Sequence, residues 1–109
     1  MCLFVPVPPP PPTNLQVSNV GIRTATLMWQ KPVIRFQNSL TDVSSYQVIA
    51  TQSQFPDLVN VVVTVSARSY TFPHALQEYT LYSCTVKARN TFELGNASHS
   101  VEFRTLQAG

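Results

Sequence analysis

The chain has 109 residues, enough for one domain with a single core and too few for two of ordinary size. Apolar residues make up 44% of it and charged residues only 11%, against about 25% in an average globular chain, so Ser, Thr, Asn and Gln carry most of its polarity. A formal net charge of +2 without a basic run argues against nucleic acid or an anionic membrane as partner, and no stretch nears the roughly 18 apolar residues that direct membrane insertion needs.

In chain order, Met-Cys-Leu-Phe-Val-Pro-Val opens apolar but lacks the basic start of a secretory leader. Pro6 and the run Pro8 to Pro12 would break the helical region such a leader requires. Five consecutive prolines favour the extended polyproline helix, a semi-rigid spacer, and no Arg or Lys flanks them to orient a proline-recognising domain. Residues 1–12 are therefore read as a proline-rich linker, 13–106 as one domain and 107–109 as a tail.

From Thr13 onward apolar residues recur at alternate positions in short runs separated by turn-forming residues, the period of half-buried strands. A first strand runs through Leu15 and Val17, a second through Ala25, Leu27 and Trp29, and Lys31-Pro32 stops it because proline has no backbone donor. A third carries Tyr46, Val48 and Ala50. After a turn near Phe55-Pro56-Asp57, a fourth carries Val59, Val61, Val63 and Val65, with Asn60, Val62, Thr64 and Ser66 on its other face. Tyr70 and Phe72 mark a fifth, Tyr82, Cys84, Val86 and Ala88 a sixth, and Val101 and Phe103 a seventh. Seven short strands predict an all-β, antiparallel two-sheet sandwich.

The order and spacing of these residues resemble a fibronectin type III domain, the immunoglobulin-like sandwich, over Pro12 to about Thr105. The residues that carry the resemblance are Pro12-Thr13-Asn14-Leu15-Gln16-Val17, the stretch Ala25 to Pro32 with Trp29, the triplet Tyr46-Gln47-Val48, and the series Leu76, Thr80, Tyr82, Cys84, Val86, Ala88, Asn90 and Gly95. The resemblance implies a structural core holding Trp29, Tyr46, Leu76, Tyr82 and Cys84, with the Tyr82 hydroxyl tied to the backbone of the preceding corner. A true immunoglobulin domain would put cysteine on the second strand and tryptophan on the third; here Trp29 is on the second and Cys84 lacks that partner. Both Cys2 and Cys84 are accordingly read as free thiols, and Cys84 as a buried core residue.

Nothing in the sequence groups into catalytic chemistry. Asp42 and Asp57 fall in separate predicted loops, His74 and His99 are isolated, and three glycines offer little material for a phosphate-binding loop. The expectation is a non-enzyme without cofactor or metal, a monomer as an isolated domain. Its partners would be another protein or neighbouring domains of a parent chain. The resemblance implies a protein-interaction and spacer module of a multi-domain, extracellular receptor or adhesion protein, similar in tone to domains of receptor-type tyrosine phosphatases. Its alternative is a purely structural spacer, also used inside cells. Asn96-Ala97-Ser98 satisfies the N-glycosylation rule and is assigned to the loop between the last two predicted strands.

The connection from Pro32 to Ser45 is long and carries Ile34, Arg35, Phe36 and Leu40. In a sandwich of this topology it should emerge beside the turn holding Arg68 and the loop holding Phe92 and Leu94. Apolar side chains rimmed by arginine have the composition of a partner-binding patch. The competing reading is that the same apolar residues fold back and close the end of the core.

Overall fold

The computed structural model of the chain describes residues 8–32, 42–55, 59–74 and 76–108. Eight strands and no helix are present among them: β1 (Thr13–Ser18), β2 (Thr26–Gln30), β3 (Ser45–Gln52), β4 (Val59–Val65), β5 (Ser69–Thr71), β6 (Leu81–Arg89), β7 (Leu94–Ala97) and β8 (Val101–Arg104). All pairings are antiparallel. One sheet has the order β1-β2-β5; the other runs β4-β3-β6-β7, with β8 also paired to β6.

Alternation decides what each strand buries. In β3 and β6, Tyr46, Val48, Ala50, Tyr82, Cys84, Val86 and Ala88 are buried while the residues between them are half-buried or, at Arg89, exposed. These two strands pair over eight residues, from Ser45 opposite Arg89 to Gln52 opposite Tyr82, and form the centre of the larger sheet. Leu15, Leu27 and Trp29 from the smaller sheet, Ala25 and Phe72 flanking its strands, and Leu76 and Phe103 complete the core between the layers. Trp29 meets Tyr46 edge-on at 5.5 Å, and Tyr82 stacks on Phe103 at 5.9 Å.

One strand more is present than alternation predicts, because the stretch read as a loop at Leu94 and Asn96 pairs with β6, Arg89 opposite Leu94 and Lys87 opposite Ala97. Leu-Gly-Asn-Ala has no apolar alternation to announce a strand. What separates β7 from β8 is Ser98. Its N–H donates to the Val86 carbonyl at 2.8 Å, while its Oγ accepts from the Val86 N–H at 3.0 Å and donates to the His99 carbonyl at 2.9 Å. The side chain thus stands in for one backbone rung, and the edge strand breaks there without orphaning a buried donor.

Register also fixes the two ends. At the entry end lie Thr13 opposite Gln30, Tyr46 opposite Val65 and Ser45 opposite Arg89, and the Trp29 N–H donates to the Arg68 carbonyl at 3.1 Å. At the exit end Leu81 faces Arg104, and the Leu106 N–H donates to Gly21 at 2.9 Å.

The described part of the proline run, Pro8 to Pro12, is not held clear of the domain. Pro9 and Pro12 are buried, and a Cβ on Gly95 would overlap the Pro9 carbonyl oxygen, so this glycine is required by close backbone approach. Gly95→Ala should destabilise the chain by about 1–3 kcal/mol. In a chain shortened to begin at Pro12 most of that cost should vanish, which urea unfolding of the four proteins measures.

The corner before β6 is held by two side chains. The Gln77 N–H donates to the Tyr82 hydroxyl at 2.8 Å. Buried Thr105 accepts from the Thr80 N–H at 2.9 Å and donates to the Gln77 carbonyl at 2.6 Å. Tyr82→Phe keeps the ring and removes one bond, so its unfolding midpoint in denaturant should fall by the equivalent of about 1 kcal/mol. An unchanged midpoint would mean the hydroxyl contributes nothing to the corner.

Candidate contact surface

The turn between β6 and β7 is four residues long and is shaped by Asn90. Its Oδ1 accepts from the N–H groups of Phe92 and Glu93 at 2.8 and 2.9 Å, and its own N–H donates to the Glu93 carbonyl at 3.1 Å. This Asx turn leaves Phe92 exposed at the tip, with 37% of its surface in solvent. Leu94 is half-buried on β7, a strand residue where the sequence suggested a loop. Arg68 is exposed in the Ser66–Arg68 turn, and Arg89 is exposed at the end of β6.

The long connection between β2 and β3 is clipped at its base. Lys31 Nζ lies 2.6 Å from Asp42 Oδ1, which also accepts from the Val43 N–H at 2.8 Å. The Lys31 ammonium beside it, with that backbone donor, holds the Asp42 carboxyl below the usual carboxylate range. Both partners are well exposed, so the pair adds little to stability. Ile34, Arg35, Phe36 and Leu40 lie outside the described residues. Register thus places Arg68, Phe92, Leu94 and the Lys31–Asp42 clip at the entry end.

Two further surfaces had no signal in the sequence pattern. An open groove of about 480 Å³ runs over the smaller sheet between Asn14, Gln16, Met28, Gln30, Arg68 and Ser69. At the exit end, exposed Ile22, Phe55, Tyr79 and Leu106 surround the point where the chain leaves the sandwich. The Arg104 guanidinium sits 5.0 Å over the Tyr79 ring, and the Tyr79 N–H donates to the Leu106 carbonyl at 3.1 Å. Tyr79 adopts a φ of 47°, a left-handed conformation costly for a bulky side chain, so an exposed aromatic is held there at some strain.

Asn96 is exposed on β7, and a glycan there would project from the edge of the larger sheet; the sequence reading had put it in a loop. His74 and His99 are exposed and Cys84 is buried. Burial pushes the Cys84 thiol up to about 12, the opposite of what a nucleophilic cysteine needs. Among the described residues no three His, Cys, Asp or Glu side chains gather as a metal site. No helix among the described residues is long and apolar enough to cross a membrane.

A sandwich of β1-β2-β5 on β4-β3-β6-β7, with Trp29 between the sheets and a tyrosine tied to the corner before β6, is matched by sequence as well as shape. The profile of the fibronectin type III domain covers residues 10–104. The chain belongs to the fibronectin type III family. No curated protein matches it. Among solved structures, a segment of titin spanning three domains superposes with a TM-score of 0.78 at 24% identity, over 92% of this chain and 33% of that one. The FN1–FN3 segment of chicken CNTN1 gives 0.76 at 21% identity, over 92% and 33%. A fibronectin type III domain derived from the human KIAA0970 protein gives 0.76 at 19% identity, over 90% and 74%. This fibronectin type III domain thus spans about a third of the titin and CNTN1 segments. At these identities the likeness speaks for the fold alone. The typical setting of such domains is a multi-domain protein, in which they are generally non-catalytic modules.

Proposed function

We propose that this domain is a non-catalytic protein-interaction and spacer module of a multi-domain receptor or adhesion protein, displayed outside the cell. The observation that carries the reading is the course of the chain: it enters beside Gln30 and Arg89 and leaves at the opposite end beside Gly21 and Leu81. Entry and exit at opposite ends let a domain be strung in series, each copy adding its full length to a stalk. The two ends are also where aromatic and apolar side chains are exposed, Phe92 at one and Ile22, Tyr79 and Leu106 at the other, the places where a neighbouring domain or a partner would touch. The entry end, with Arg68, Phe92 and Leu94, together with Ile34, Arg35, Phe36 and Leu40 of the connection between β2 and β3, is the surface we assign to a protein partner. An exposed Asn96 followed by Ser98 suits an extracellular surface, since a glycan there would leave both ends free.

The test is to stain cells expressing the natural protein with an antibody raised against this domain. Labelling of intact cells, with a mobility shift on glycan removal that Asn96→Gln abolishes, is the expected result. Labelling only after permeabilisation would overturn the extracellular reading and leave a structural spacer inside the cell.

A further inference from the structure

A sheet edge is a row of unpaired backbone donors and acceptors, and proteins blunt such rows by shortening, bulging, charging or covering them. Three of the four edges of this sandwich are blunted. The β1 edge carries a register break between Thr13 and Gln16 with Asn14 at a φ of 54°. The β5 edge is three residues long. The β7 and β8 edge is interrupted at Ser98 and overlain at Gly95 by Pro9. The fourth, β4, is bulged only near its start, and the five residues 61–65 beyond the bulge form a regular edge stretch. Its sequence, Val-Asn-Val-Val-Val-Thr-Val, holds neither charge nor proline, and among the described residues it pairs on one side only, with β3.

The edge is also self-complementary. One bulged position, residue 60, separates the pairs Ala50–Val61 and Thr51–Val59, which leaves 61–65 as the regular stretch. If a second copy is laid antiparallel beside it about Val63, Val61 falls opposite Val65 and Val62 opposite Thr64. A two-fold axis through a residue keeps faces matched, so core-side valines meet valines and outward residues meet outward residues. Val61, Val63 and Val65 are only half-buried, and Val62 is 51% exposed, so the partner strand would cover apolar surface that one chain leaves in water. No like charges oppose each other in this arrangement. We propose that β4 is a self-association edge: two copies of this chain pair β4 to β4, antiparallel, and join their larger sheets into one continuous sheet. A contact of five residues per strand is small, so the dimer is weak and its population follows concentration.

Sedimentation equilibrium of the full chain over a wide concentration range tests this. The weight-average mass should rise from one chain toward two. Val62→Lys/Thr64→Lys changes two exposed positions and sets like charges against each other across the axis; it should stay at one chain throughout while keeping the thermal midpoint of the parent within a few degrees. Thr13→Lys/Gln16→Lys, the same charge added to the β1 edge, should dimerise as the parent does. A parent that remains a single chain at every concentration overturns the proposal. So does a Val62→Lys/Thr64→Lys protein that dimerises normally, or a β1-edge variant that loses the dimer as well.

Discussion

Trp29→Ala should lower the free energy of unfolding by about 3–5 kcal/mol, the cost of removing a large buried aromatic without the surrounding sheets closing the space. The ring lies between the layers on the end of β2, buried and edge-on to Tyr46. Its truncation therefore leaves a cavity between the two sheets at the entry end. Trp29→Phe should be much milder, about 1–2 kcal/mol, for a specific reason. Among the described residues the indole Nε1 has no acceptor, so phenylalanine forfeits volume but no hydrogen bond. Guanidinium titrations of the three proteins decide the matter. A Phe variant as unstable as the Ala variant would mean that the indole N–H has an acceptor after all.

The second large effect concerns Cys84. Burial without a compensating charge raises its pKa to about 12, so at pH 8 its thiolate fraction is roughly a thousandfold below that of an ordinary thiol, before any steric shielding. In a Cys2→Ser chain, where Cys84 is the remaining thiol, alkylation of the native protein should be slower than in denaturant by at least that factor. The same shift has a consequence for stability. Above the ordinary thiol pKa the unfolded chain loses the proton that the native chain retains. The contribution of Cys84 is therefore intact below that pKa and is lost as pH rises toward about 12, at about 1.4 kcal/mol per pH unit. Comparison with Cys84→Val isolates it, since valine cannot titrate: the gap, taken as the parent's stability minus the variant's, should fall as pH rises above the ordinary thiol pKa. A gap that stays constant between pH 8 and 11 would place the thiol in contact with water.

Much of this architecture was legible because strand burial has a period of two. Leu27 and Trp29, Tyr46 to Ala50 and Tyr82 to Ala88 alternate without a break, and those runs became β2, β3 and β6 with their inward residues buried. The strand missed was β7, whose Leu-Gly-Asn-Ala pairs through its backbone and is shaped by an overlying proline segment, a long-range contact that no local pattern announces. Ser98 and Thr105 were missed for a related reason. A buried hydroxyl that replaces a backbone rung or ties two loops together looks, in sequence, like any surface serine or threonine. Loop order alone placed Arg68 and Phe92 at the entry end, whereas the exposed exit-end group of Ile22, Tyr79 and Leu106 comes from three separate segments. The valines of β4 were read as a half-buried strand, and among the described residues their neighbour order places that strand at the edge of the larger sheet, which alternation alone does not reveal.

The central claim is that the domain works as a link in series, loaded through its opposite ends. β1 and β8 lie side by side and both run from the entry end toward the exit end, so tension between the termini shears these strands along their length and loads their bonds together. The direct measurement is extension of a single molecule in optical tweezers, with handles at the two ends of the matched segment, residues 10 and 104. The account predicts one abrupt, all-or-none step that lengthens the chain by about 300 Å, the extended length of the domain less its folded span. Gradual lengthening without a step, or release in several smaller pieces, would contradict it.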